Sequence, residues 1–170
     1  GRLVIKKAPN VELRGTELCK KTLPFFVMRG KGTGTRIDLT WDKVKGATGY
    51  DVYWSYCNGK NNFNKLGNVT KSLKYADKSL NSKREYKYFT VAYKMSGGRK
   101  VYLGKTNIVH VAMPYASRTN ALTVTVNKTS VSLAKGKTFK ITKKVKLENT
   151  KKKALRHFLK NEFYITSNAK

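Results

Sequence analysis

Acidic residues are scarce in this sequence. Nine Asp and Glu stand against 37 Lys and Arg, so the formal net charge of the 170-residue chain is +28. Two histidines and two cysteines complete a small supply of groups for acid–base or nucleophilic chemistry, which disfavours hydrolytic enzymes. No apolar run approaches the length of a membrane-spanning helix, which argues against a membrane span. We therefore predict a protein that is not an enzyme and needs no cofactor or metal.

Lysine supplies most of the positive charge, with 29 Lys against 8 Arg. A lysine ammonium is a compact, strongly hydrated point charge, whereas the planar arginine fork suits geometric recognition of bases and phosphates. A lysine-rich surface therefore suits a diffuse anionic partner, such as acidic glycans, cell-wall phosphates, anionic lipid or a nucleic-acid backbone. The alternative is a solvated surface that only keeps the protein soluble.

Apolar and polar residues alternate with period two, and this pattern predicts strands over 37–41, 50–57, 86–93 and 107–113. Glycine-rich turns separate these segments. The pair Gly97-Gly98 indicates a tight hairpin, because both central residues of a type I′ turn need positive φ. Short strands at regular spacing predict an all-β sandwich. The only helix-compatible stretch is 151–160.

Three features within residues 37–113 resemble a fibronectin type III domain of the bacterial extracellular kind. Trp41 ends an alternating strand, and Ala47-Thr48-Gly49-Tyr50-Asp51-Val52-Tyr53 matches the turn and strand that follow. Leu80 precedes Tyr86 by six residues, as in a tyrosine corner, where the phenol hydroxyl bonds to backbone near the Leu. The resemblance implies that Trp41, Tyr50, Leu80 and Tyr86 belong to the core of a β-sandwich.

Residues 121–168 resemble the first half of a bacterial immunoglobulin-like domain, through the Thr125–Leu133 segment and Tyr164-Ile165-Thr166-Ser167-Asn168. The expected domains are an N-terminal extension at 1–20, a type III-like sandwich at 21–114, a linker at 115–120 and a partial second β-sandwich module at 121–170. Half a sandwich leaves its inner face and strand edges unpaired. Residues 121–170 are therefore expected to pair with another chain, to swap, or to cover the first module.

The few groups capable of chemistry are scattered. Cys19 and Cys57 could form one disulfide in an oxidising compartment or remain two buried thiols, and the sequence leaves both open. Alternation places His110 on a solvent face or between strands, with no neighbouring Cys, Ser or carboxylate to suggest a triad. Asp42, Asp51 and Asp77 are expected to form salt bridges or turn bonds rather than a calcium site.

Alternation along 50–57 places Tyr50, Val52 and Trp54 on one face and Tyr53 and Cys57 on the other. One of these faces is expected to be exposed in a single sandwich. Exposed aromatic rings on a sheet can stack on sugars or bases. We favour packing against a neighbouring module or against residues 1–36.

The densest basic patch lies near the C-terminus. Its candidate polyanion contacts are Lys143, Lys144, Lys146, Lys151, Lys152, Lys153 and Arg156. The resemblance implies a non-catalytic adhesive or spacer segment of a bacterial secreted or cell-surface protein, joined to neighbouring domains of a larger chain. In this interpretation the lysines dock to anionic glycans or wall polymers. The alternative is a polyanion- or nucleic-acid-binding module attracted by the net charge.

Overall fold

The structure is a computed structural model that describes residues 12–58 and 60–155. Its elements, in chain order, are α1 (Gly15–Lys20), β1 (Phe25–Phe26), β2 (Met28–Thr33), β3 (Arg36–Trp41), β4 (Gly49–Tyr56), β5 (Asn64–Val69), β6 (Lys74–Asp77), β7 (Glu85–Ser96), β8 (Arg99–Thr106), β9 (Val109–Ala112), β10 (Arg118–Thr119), β11 (Ala121–Val126), β12 (Lys143–Leu147) and β13 (Lys153–Ala154).

Two facing sheets form a sandwich, which confirms the all-β prediction. The larger sheet has the strand order β1-β8-β7-β4-β5, with β9 paired to the other end of β7. The smaller sheet has the order β2-β3-β6. The predicted glycine hairpin joins β7 to β8: Gly97 and Gly98 have φ values of 55° and 73°, and Ser96 pairs with Arg99. Both φ values fall in the left-handed region that glycine tolerates without strain.

The main core lies between the two sheets. It contains Trp41, Tyr50 and Tyr86, all buried, and Leu80 packs against it as a half-buried side chain. The Trp41 and Tyr50 rings are 5.6 Å apart. The hydroxyl of Tyr86 accepts a hydrogen bond of 3.0 Å from the backbone N–H of Asn81, so the bond expected at the tyrosine corner is present.

Both faces of β4 are buried, so the expectation of one exposed face was wrong. A second cluster lies on the outer face of the larger sheet, where Leu18 of α1 and Phe63 cover Tyr53 and Phe89. The Tyr53 and Phe89 rings stack with centroids 5.0 Å apart. The N-terminal residues therefore pack on this face, as favoured for the aromatic side chains of 50–57.

Helix α1 also corrects the expectation that 151–160 is the only helix-compatible stretch. Its first turn is closed by the Glu17 carboxylate, which accepts the backbone N–H of Arg14 at 2.8 Å. Six residues are too few for a helix to be stable alone, so burial of Leu18 under the sheet's outer face stabilises it. Hydrophobic periodicity cannot reveal this helix, because Leu18 is its one buried apolar side chain.

Beyond the sandwich, β11 and β12 form an antiparallel two-stranded ribbon, and β10 pairs in parallel with β13. The Asn120 carboxamide ties this region to β9, because it both accepts from the Ala112 N–H at 2.7 Å and donates to the Ala112 carbonyl at 2.8 Å. A small apolar cluster of Ala112, Ala116 and Leu155 lies beside these bonds. The division into two modules stays a prediction.

Candidate functional site

We call residues 121–147 the lysine ribbon, because β11, β12 and the connection between them carry seven lysines and no Asp or Glu. Lys144 and Lys146 are exposed on one face of β12. Across the strand pair they stand opposite Thr125 and Thr123. The result is a polar, cationic face on one side of the ribbon.

The other predicted contacts fall into different environments. Lys143 pairs with Val126 and is half-buried. Lys152 directs its ammonium at the protein itself, donating to the carbonyls of Pro114 and Ala116 at 2.9 Å each. Lys151 and Lys153 are exposed. Arg156 lies outside the described residues.

Four lysines that were not singled out from the sequence extend this surface. Lys128, Lys135, Lys137 and Lys140 lie in the connection between β11 and β12, and all four are exposed. The sequence could have revealed these four lysines through the absence of acidic residues, because 121–147 is a long basic segment without Asp or Glu. The net charge of the segment is therefore +7, from seven lysines and no acid.

Carboxylates in the sandwich are paired with cations or hydrogen-bond donors, as expected for Asp42, Asp51 and Asp77. Asp42 lies 2.9 Å from Arg29, and Asp51 lies 2.6 Å from Lys100. The Tyr88 hydroxyl donates to Asp77 at 2.9 Å. These pairs neutralise part of the sandwich's charge, whereas the lysine ribbon has no carboxylate of its own.

His110 is buried between β9 and β7, which agrees with the inter-strand alternative and not with a solvent face. Its Nδ1 is 3.3 Å from the Sγ of Cys57, so the expectation of no neighbouring Cys was wrong. Burial and the nearby Glu85 raise the pKa of Cys57 to about 12, so the thiol is protonated at neutral pH and is a poor nucleophile. Cys19 and Cys57 are not bonded to each other.

Within residues 12–58 and 60–155, no group of three or more His, Cys, Asp or Glu side chains is placed to hold a metal ion. No helix in the described part of the chain is both long and apolar enough to cross a membrane.

The two facing sheets define the class of this protein: an all-β sandwich. No family model and no curated protein matches the sequence. Among solved structures, the FN5 domain of Drosophila Lar is 15% identical over 55% of this chain and 98% of that domain, with a TM-score of 0.42.

Two further similar structures are a glucanase and a pectate lyase. A β-1,2-glucanase from Parabacteroides distasonis is 15% identical over 54% of this chain and 13% of its own, with a TM-score of 0.46. Pectate lyase PelI from Erwinia chrysanthemi, solved with tetragalacturonic acid, is 10% identical over 50% of this chain, with a TM-score of 0.40. The match spans about a quarter of the pectate lyase chain (26%).

Proposed function

We propose that this chain is a non-catalytic adhesive or spacer segment of a bacterial secreted or cell-surface protein, and that its lysine ribbon docks to anionic glycans or wall polymers. The observation that carries the proposal is the ribbon itself: seven lysines without a carboxylate, six of them exposed. The sandwich would act as a rigid spacer to neighbouring domains, a role assigned by analogy with the fold.

The chemistry of lysine supports a diffuse contact. Exposed ammonium groups on a two-stranded ribbon attract a polyanion at long range and release its counterions, but they do not fix its geometry. Such binding weakens steeply as salt rises. A wall polymer or acidic glycan offers repeated charges and needs no sequence-specific reading.

A non-catalytic role is supported by how the sandwich uses its titratable groups. Asp42 and Asp51 are held in ion pairs. The pKa of the Cys57 thiol is raised to about 12, chiefly by burial. A catalytic thiol needs a pKa low enough to ionise near the working pH, and Cys57 does not have one.

Nucleic-acid binding is the second candidate, favoured by the same charge. Proteins that bind single strands combine a cationic groove with aromatic rings on which bases stack. The lysine ribbon contains one aromatic residue, Phe139. This composition favours a partner recognised by charge alone.

The test compares retention on immobilised heparin, double-stranded DNA and isolated bacterial cell wall along a salt gradient from about 50 mM to about 300 mM. A ribbon variant replaces four exposed lysines with Gln: Lys135, Lys137, Lys144 and Lys146. A matched control variant replaces four exposed sandwich lysines: Lys43, Lys45, Lys71 and Lys94. Both variants lose the same charge.

We expect the ribbon variant to elute from cell wall and heparin at clearly lower salt than the control variant. Each contacting lysine removed should reduce the slope of log affinity against log salt by about one. Equal effects of the two variants would mean that overall charge, not the ribbon, drives binding. Retention that is stronger on DNA than on cell wall well above physiological salt would favour the nucleic-acid alternative.

A further inference from the structure

An open cavity of about 340 Å³ lies at one edge of the sandwich. The residues that line it come well before the lysine ribbon in sequence. Its walls include Trp54 and Tyr56 of β4, Tyr86 of β7, and Asp77, Ser79 and Asn81 from β6 and the loop that follows. The volume is at the lower end of the range for small-molecule sites.

Three aromatic rings form one corner of this cavity. Trp54 meets Tyr56 edge-on, with centroids 5.2 Å apart and planes at 82°. Tyr86 is tilted by 40° against Tyr56 and by 44° against Trp54. No pair among these rings is parallel, so they form a corner rather than a flat slot. A non-planar saturated ring can contact two such faces at once, whereas a planar base needs one flat face or a parallel pair.

Polar groups with unused hydrogen-bonding capacity share the walls. Within the described part of the chain, no residue bonds to the Tyr56 hydroxyl, the Trp54 indole N–H, the Ser79 hydroxyl or the Asn81 side-chain NH₂. Ser79 also has a φ of 58°, the one positive value at a non-glycine residue in that part. Aromatic faces beside neutral donors and acceptors match a sugar, which has an apolar C–H face and a rim of hydroxyls.

Arg84 is not among the residues that line the cavity, but it places a cation against the ring of Tyr56, which is one of them. Its guanidinium lies 5.4 Å from the centre of the Tyr56 ring, and no carboxylate among the described residues forms an ion pair with it. Lys83, next to it in sequence, is exposed. A guanidinium forms strong bidentate hydrogen bonds with a carboxylate. Asp77 also lines the cavity, and its carboxylate accepts a hydrogen bond from the Tyr88 hydroxyl.

We propose that this cavity binds one acidic sugar residue of a glycan chain, with the sugar ring in the corner of Trp54 and Tyr56 and its carboxylate on Arg84. The site is separate from the lysine ribbon and does not depend on the function proposed for it. Recognition here is by shape and short-range bonds, so it should persist at salt concentrations that screen the ribbon.

The test is a titration of the full chain with methyl β-D-glucuronide at about 300 mM salt. Binding is monitored through the NMR signals of the two tryptophan indole N–H groups. Trp54 lines the cavity and Trp41 is 3% exposed, so one signal should move and the other should not. Trp54→Phe assigns the two signals. Methyl β-D-glucoside, which has a neutral hydroxymethyl group in place of the carboxylate, and thymidine monophosphate are titrated in parallel.

We expect the glucuronide to bind about tenfold more tightly than the glucoside, and Arg84→Gln to remove that difference. Tyr56→Ala should weaken both sugars about tenfold, and Tyr56→Phe should retain most of the affinity. Tyr115→Ala is the matched control, because Tyr115 is 74% exposed and does not line the cavity. An unchanged Trp41 signal in each variant shows that the core is intact.

The proposal is overturned if neither sugar shifts the Trp54 signal, if thymidine monophosphate shifts it and the sugars do not, or if Tyr115→Ala weakens binding as much as Tyr56→Ala. The four-lysine ribbon variant should bind the glucuronide like the unaltered chain. Failure of the ribbon proposal and failure of this one therefore give different results.

Discussion

Asp51 is a fully buried carboxylate, and its neighbours explain how the fold tolerates it. Lys100 and Lys65 lie 2.6 and 3.1 Å from its oxygens, and the Asn68 amide donates to it at 2.7 Å. A buried charge without such partners would cost several kcal/mol. Glu12, from the segment before α1, contacts both lysines and so links the N-terminal residues to this cluster.

Glu12→Gln tests the contribution of this link through its pH dependence. The hydrogen bond from Lys100 lowers the pKa of Glu12 below its ordinary value of 4.5, even though burial opposes this. A lowered pKa contributes stability that is present above pH 4.5 and is lost as pH falls through the folded-state pKa. Because Glu12 is half exposed, we expect a loss of about 0.5 kcal/mol at pH 7.

Urea unfolding of both proteins at pH 7 and at about pH 3 measures this difference. The gap between the parent chain and Glu12→Gln should narrow at the lower pH. A double-mutant cycle with Lys65→Gln separates the ion pair from other effects of the substitution. A gap of the same size at both pH values would contradict the assignment.

At the scale of elements, α1 decides whether the outer face of the large sheet is covered. The helix approaches so closely that its first residue must be glycine. A Cβ at Gly15 would lie 2.6 Å from the Phe63 carbonyl oxygen and 2.6 Å from the Tyr53 ring. Helix propensity and packing therefore make opposite predictions for this position.

Gly15→Ala should destabilise the protein, although alanine favours helix formation by about 1 kcal/mol over glycine. The added methyl group forces α1 away from Tyr53 and Phe63, and overpacking of this kind costs about 1–3 kcal/mol. Lys20→Ala, in the exposed last turn of α1, is the control and should change stability by less than about 0.5 kcal/mol. Chemical denaturation measures both variants; a Gly15→Ala protein more stable than the parent would refute the close contact.

Alternation located four of the nine strands in the described sandwich, β3, β4, β7 and β9, each of which has several buried residues, whereas β5 and β6 have none and were not found. Residues 131–133 and 139–142 alternate in the same way, yet the structure has no strand there; Val131, Leu133 and Phe139 are exposed. Local pattern predicts a strand only where a partner strand and a covering layer are available. In this part of the lysine ribbon neither is present among the described residues.

At the scale of the whole molecule, the apolar side of the lysine ribbon leaves several large apolar side chains exposed to solvent. Leu122 and Val124 of β11 are exposed, together with four large apolar residues of the connection: Val131, Leu133, Phe139 and Ile141. A two-stranded ribbon is marginally stable by itself. The expectation that residues 121–170 pair with another chain or swap stays a prediction.

We expect the chain to self-associate through this surface as concentration rises. Raised salt should strengthen association, because it screens the repulsion between copies that each carry a net charge of +28. A Leu122→Thr, Val124→Thr variant should remain monomeric to higher concentration. Val101→Thr, which changes an exposed valine of β8, is the control. Sedimentation velocity measures the species; a monomer under all conditions in all three proteins would contradict the prediction.

The sequence alone determined the all-β class, the buried core around Trp41, Tyr50 and Tyr86, and the cationic character of the C-terminal third. The class and the charge depend on periodicity and composition, which are local properties, whereas the core residues were implied by the resemblance to type III domains. The sequence also predicted salt bridges or turn bonds for Asp42, Asp51 and Asp77, and the structure shows ion pairs for Asp42 and Asp51. The sequence could not show which lysines are free, since Lys152 is held by the carbonyls of Pro114 and Ala116, which lie 38 and 36 residues earlier in the chain.

Tertiary structure alone decided the cover over the outer face of β4, the approach of Cys57 to His110, and the cavity between Trp54, Tyr56 and the loop after β6. Each of these joins segments that are distant in sequence. Their energies come from burial and from contact distances of a few ångströms, which depend on how sheets and loops meet rather than on any single segment's pattern. The lysine ribbon follows from local composition and the acidic-sugar cavity from long-range packing.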